Sequence, residues 1–104
     1  MSEKQYENKI KKFLASLPHC YFFKVWGGGF QKAGIPDIIA CINGRFVAIE
    51  VKAAAGKPSP LQTHNIQLIN DAKGFGVITY PDDFEQLKEV LYGIAIPEKA
   101  TPRD

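Results

Sequence analysis

Gly34–Lys52 reads GIPDIIACINGRFVAIEVK. Two apolar runs, Pro36–Ile42 and Arg45–Lys52, flank Asn43-Gly44, the dipeptide that most strongly favours a two-residue type I′ turn because both of its residues tolerate positive φ. The stretch therefore predicts two antiparallel strands. A two-residue turn fixes the register: Ile42 faces Arg45, Ile38 faces Ile49, and Asp37 faces Glu50. Directly opposed residues have Cβ atoms roughly 4.5–5.5 Å apart, a distance at which like charges repel. Strand alternation puts Glu50 and Lys52 on one face with Phe46 and Ala48, and Val47, Ile49 and Val51 on the other. An apolar hairpin thus carries three charges at one end. Lys52 as a plain structural ion pair would account for them, and so would a divalent cation held by Asp37 and Glu50 with Lys52 beside it.

The surroundings fit one ordinary globular domain. The chain has 104 residues, 45% hydrophobic and 23% charged, enough for a single core and too few for two. No run approaches the roughly 18 apolar residues of a membrane span, and MSEKQYENKIKK lacks the apolar core of a signal peptide. A cytoplasmic protein, of a bacterium or a phage-infected host cell, is expected. Cys20 and Cys41, without CxxC spacing, read as reduced thiols, and His19 and His64 are not at metal-ligand spacing. The net charge of +2 is small, but its distribution is uneven. Between Glu7 and Asp71 the only carboxylates are Asp37 and Glu50, against Lys9, Lys11, Lys12, Lys24, Lys32, Arg45, Lys52 and Lys57. A basic surface interrupted by two adjacent carboxylates suits a polyanion that meets a metal.

Outward from the hairpin, Ser2 and Gln5 form a capping box, and Tyr6, Ile10, Phe13, Leu14 and Leu17 recur at helical spacing until Pro18, predicting a helix over about 3–17. Glu7 falls at the edge of that apolar stripe, where a carboxylate needs a partner unless the helix frays. Tyr21–Trp26 predicts a strand ended by Gly27-Gly28-Gly29. Gly27–Gly34 lacks the spacing of a P-loop or a dinucleotide site. It reads as a connector, or as a loop whose backbone and Lys32 approach a phosphate backbone. After the loop carrying Lys57, Ser59-Pro60-Leu61-Gln62 marks a second helix start, closed by Gly74. Gln62 there either completes the cap or touches a phosphate or a water at the metal. Phe75–Tyr80 predicts a strand parallel to its predecessor. Asp82 and Glu85 are expected to cap a last helix carrying Phe84, Leu87 and Leu91, and residues 93–104 a flexible tail behind a domain of residues 1–92. The order is α-β-β-β-α-β-α, an α/β fold with a mixed central sheet flanked by helices.

Glu7, Gly34-Ile35-Pro36-Asp37, Glu50-Val51-Lys52 and Gln62, in that order of elements, resemble the PD-(D/E)xK nuclease superfamily, and within it the small free-standing VRR-NUC nucleases of phages and bacteria. The resemblance implies a restriction-endonuclease-like core. It further implies that Asp37 and Glu50 bind Mg²⁺ or Mn²⁺ with the backbone carbonyl of Val51, that Glu7 supports the metal or its waters, that Lys52 orients or helps deprotonate the attacking water, and that Gln62 completes the set. Lys24, Lys32 and Lys57 are then candidate nucleic-acid contacts. The activity implied is an endonuclease on DNA, selective for branched DNA or four-way junctions and acting as a homodimer. A sequence-specific restriction-type endonuclease would need added elements for reading bases in a groove, and a non-catalytic nucleic-acid-binding module would not need Asp37, Glu50 and Lys52 together.

Overall fold

The computed structural model describes residues 1–26 and 33–97. Its elements follow the expected order: α1 (Glu3–Ser16), β1 (Cys20–Lys24), β2 (Ile38–Ile42), β3 (Arg45–Val51), α2 (Pro60–Asp71), β4 (Phe75–Thr79) and α3 (Phe84–Ala95), the last preceded by a 3₁₀ turn, Pro81–Asp83. The strands form one sheet in the order β1-β2-β3-β4. β2 and β3 pair antiparallel in the register dictated by the turn, from Ile42 opposite Arg45 to Ile38 opposite Ile49. Asn43 and Gly44 take φ of 50° and 82°, both positive as a type I′ turn requires. β1 adds antiparallel to β2. β4 pairs parallel to β3, which α2 makes possible by carrying the chain back along the sheet.

One face of the sheet is the core. Ile38, Ala40 and Ile42 of β2 and Val47, Ile49 and Val51 of β3 are buried against Tyr6, Ile10 and Leu14 of α1 and Leu87 and Leu91 of α3. α2 covers the opposite face at β4, where the helix passes so close to Gly76 that an added Cβ would lie 3.1 Å from the Ile66 carbonyl oxygen. Val47 through Val51 are consequently all buried, Glu50 included. Toward β1 the α2-side face is open, leaving Tyr21, Phe23 and Phe46 exposed. Beside them a groove of ≈ 420 Å³ is lined by Ile35, Pro36, Ile39, Phe46, Leu68 and Ile69, among others.

Two expectations are corrected at the C-terminal end. Asp82 and Glu85 do not cap α3. The residue at its N-cap is Asp83, whose side chain makes no bond into the helix; its Oδ2 instead accepts the Tyr80 N–H at 3.1 Å, closing the 3₁₀ turn. The packed chain also does not stop at Gly93. α3 runs through it, Ala95 is buried, and Ile94 and Ile96 pack against the core. One glycine costs a helix only about 1 kcal/mol relative to alanine, less than burying those apolar neighbours returns. The rest of the expected tail, 98–104, lies outside the described residues, as do Lys32 and most of the glycine-rich loop. Among the described residues no helix is long and apolar enough to cross a membrane.

Candidate active site

The charged end of the hairpin is assembled by backbone as much as by side chains. Asp37 sits just before β2, and its Oδ2 accepts the Val51 N–H at 2.8 Å. That bond pins the aspartate to the last residue of β3. The chain then leaves β3 with the Lys52 N–H donating to the Thr79 carbonyl at 3.0 Å, and Thr79 is itself held by a buried 2.6 Å hydrogen bond between its Oγ1 and the Tyr6 hydroxyl. α1 and β4 therefore brace the backbone on which Lys52 is mounted.

Glu50 is 3% exposed. Its Oε2 accepts a 2.9 Å hydrogen bond from Gln62 Nε2 and lies 3.4 Å from Lys52 Nζ, while its Oε1 is buried without a hydrogen-bond partner. Burial first, and then the charge of Asp37, push the Glu50 carboxyl up to about 7; Lys52 offsets part of this. A group with that environment is held in tension between two protonation states. A cation between the carboxylates would relieve both causes at once.

Gln62 serves both of the roles that its position in sequence allows. Ser59 Oγ accepts the Gln62 N–H at 3.2 Å, and Gln62 Oε1 accepts the Ser59 N–H at 2.9 Å, a complete capping box. With its carbonyl oxygen thus occupied, the amide has only its NH₂ to offer Glu50.

Glu7 does not join this group. Among the described residues no three of His, Cys, Asp and Glu are placed to hold a metal. Glu7 is buried in another cluster, where Lys24 Nζ donates to its Oε1 at 2.7 Å and Lys11 and Lys4 lie 3.3 and 3.5 Å from its Oε2. Burial alone would raise its pKa; the hydrogen bond and charge of Lys24, reinforced by Lys11, outweigh this and hold it below the ordinary glutamate value. The carboxylate on the apolar stripe thus has ammonium partners, Lys24 foremost. Lys24 is held by the same contact, and its side chain is only 18% exposed. Lys57 is exposed on the loop before α2. Sequence reasoning missed Lys11, although its place four residues after Glu7 is the favoured spacing for an ion pair on a helix. It also missed Asn65, whose Nδ2 donates to the Gly34 carbonyl at 3.0 Å and ties the loop entering Asp37 to α2; no local pattern announces that contact.

The donor set present fits a hard divalent cation. Two carboxylates side by side, one with a buried unpaired oxygen, match Mg²⁺ or Mn²⁺, ions that Mg²⁺-type sites hold by one or two carboxylates while keeping several waters. The four-stranded mixed sheet, with Asp37 ahead of β2, Glu50 and Lys52 at the end of β3 and helices on both faces, is a restriction-endonuclease-like fold. Residues 5–80 match the archaeal Holliday junction resolvase family, and the chain belongs to that family. No curated protein and no solved structure matches it.

Proposed function

We propose that this chain is a Mg²⁺- or Mn²⁺-dependent endodeoxyribonuclease that cuts branched DNA, four-way junctions in particular, and does so as a homodimer. The observation that carries the reading is Glu50: a buried carboxylate with one oxygen unpaired, pressed against Asp37 and facing Lys52. Membership of the resolvase family supplies the substrate class. The Gly34-to-Asp37 segment and Gln62 support the finer likeness to small free-standing VRR-NUC nucleases.

Asp37 and Glu50 would hold the ion, with the Val51 carbonyl as a third donor. When bound, the ion supplies Lewis acidity toward water and phosphate oxygens and neutralises charge developing on the phosphoryl group. Lys52, a compact ammonium at the end of β3, orients the attacking water or pairs with one phosphate oxygen. Gln62 fixes the rotation of Glu50, leaving Oε1 as the free ligand atom. Lys57, and Lys32 five residues ahead of Asp37 in the sequence, would meet flanking phosphates.

A junction has two strands to cut and each chain carries one site, so paired incision calls for two copies. The open apolar face supports this. Tyr21 and Phe23 on β1 and Phe46 on β3, with β2 between them, are 73%, 49% and 48% exposed on the face that carries the groove under Leu68, and aromatic side chains bury about 150–250 Å² each when fully covered. Doubled by symmetry, these partly exposed rings would supply the apolar centre of a dimer interface, with the rest of its area from the surrounding rim.

The test is incubation with a labelled four-way junction, linear duplex and single strand in Mg²⁺, Mn²⁺ or EDTA, beside Asp37→Ala and Lys52→Ala. Paired metal-dependent cuts near the branch, lost in both variants, are expected. Cleavage that survives EDTA or Asp37→Ala would sink the proposal.

A further inference from the structure

Trp26, the chain's single tryptophan, is 74% exposed. Large aromatic side chains are normally covered in a monomer, and among the described residues no aromatic ring pairs with this one. Two ammoniums lie against the ring. Lys4 Nζ lies 5.9 Å and Lys24 Nζ 5.7 Å from the ring centroid. Neither lysine is there by accident, because Glu7 gathers both of them together with Lys11. One buried carboxylate thus organises three ammoniums, leaving the cluster net positive around an open indole. Lys4 remains 61% exposed at its side chain, free to reach outward.

The position matters as much as the composition. The Val25 N–H donates to the Asp37 carbonyl at 2.8 Å, extending the β1–β2 ladder by one rung to the metal-binding aspartate, and Trp26 is the next residue. It therefore stands at the same end of the sheet as Asp37. The contacts with Lys4 and Lys24 put it on the α1 side, whereas Glu50 and Gln62 face α2. A DNA strand crossing this end would meet the carboxylates on one side and the indole on the other.

We propose that Trp26 is a stacking platform for an unpaired or splayed nucleobase of the DNA substrate, with Lys4 pairing the adjoining phosphate and Glu7 acting as the positioning residue for the cluster. The inference rests on reading the chain as a DNA nuclease. An indole flanked by ammoniums suits a nucleotide because every base offers a π-face while its phosphate needs a cation. A base inside an intact duplex has no face to offer, so the platform favours DNA whose stacking is interrupted, as at a branch. Trp26 is then a binding residue beyond the cleavage chemistry.

Because Trp26 is the only tryptophan, its emission reports the contact directly. In EDTA, where no cutting occurs, the full-length protein is titrated with a fluorescein-labelled oligothymidylate and with an abasic oligonucleotide of equal length, following binding by anisotropy and stacking by indole emission. Quenching by the thymidylate but not by the abasic strand is expected. Trp26→Ala should weaken thymidylate binding roughly five- to a hundredfold, the range for loss of one stacked base, and leave abasic binding near wild type. Trp26→Phe should restore most of the affinity. Lys4→Ala should weaken binding of both strands and retain the quench. Unaltered thermal melting of Trp26→Ala separates a binding defect from misfolding. Unchanged emission at saturation, or equal loss of both strands in Trp26→Ala, overturns the platform. Asp37-dependent cutting without a quench refutes stacking and leaves the nuclease standing; a quench without cutting in any metal does the reverse.

Discussion

Replacing Glu50 with glutamine should stabilise the metal-free protein while abolishing cleavage. The side chain keeps its shape but loses the charge that burial and Asp37 oppose. Folding pushes the carboxyl up to about 7 from an ordinary 4.5. A carboxyl whose pKa is raised on folding binds more protons folded than unfolded between those values, so stability falls as pH rises through that window and stays low above it. At about 1.4 kcal/mol per unit, the penalty is on the order of 3 kcal/mol near pH 8 and about 1 near pH 5. Glutamine carries no such penalty. Allowing for relaxation around the charge, Glu50→Gln should gain about 2–3 kcal/mol near pH 8, or roughly 10 °C in Tm for a domain of this size. Scanning calorimetry in EDTA at the two pH values measures both differences. Saturating Mg²⁺ should then raise the Tm of wild type at pH 8 and leave the variant almost unmoved, since a ligand stabilises only the state that binds it. A lower Tm for the variant at pH 8, or an equal difference at both pH values, would mean that Glu50 is not a strained carboxylate and would remove the main support for a cation between it and Asp37.

Glu7 should behave in the opposite sense: its lowered pKa contributes stability above about pH 4.5 that disappears on further acidification, so Lys24→Met, which strands the buried carboxylate, should lower the Tm at pH 7 more than at pH 4. Tyr6→Phe leaves the buried Thr79 hydroxyl without its partner and should cost about 1–3 kcal/mol in urea unfolding, much of it recovered by adding Thr79→Val. Gly34→Ala places a Cβ 2.7 Å from Asn65 Nδ2 and 2.8 Å from Leu61 Cβ at a φ of +83°; a loss of about 1–3 kcal/mol and of cleavage is expected, because the loop entering Asp37 must move. Phe23→Glu should convert a dimer to monomers in sedimentation velocity while leaving the melting of the monomer within about 1 kcal/mol of wild type, and an unchanged sedimentation coefficient would put the interface elsewhere.

The hairpin was legible because its information is local. Asn43-Gly44 sets the turn, alternation sets the faces, and the two together place Asp37 beside Glu50 and Lys52 without reference to the rest of the chain. The second helix start was equally local, since a capping box spans four residues. What escaped was decided across distance. Glu7 could be seen to need a partner, yet nothing near Lys24 in sequence says that it will lie against α1 and donate to that carboxylate. α3 passes Gly93 because Ala95 has a core to enter, which a helix-breaker rule does not weigh. Trp26 read as the last residue of a strand, and only the lysines drawn together by Glu7 distinguish it from any other exposed ring.

Gln62 makes one amide a member of two cooperative units. Its oxygen helps cap α2 and its NH₂ holds Glu50, so the first turn of the helix and the orientation of the Glu50 carboxylate share a fate. Helix ends are among the first parts of a protein to open. Unwinding of Pro60–Gln62 would remove the Gln62 bond and leave Glu50 held by Lys52 alone. The orientation of a buried carboxylate at the end of the sheet thus hangs on a four-residue local motif at a helix end, the kind of segment that opens at less than the global cost of unfolding.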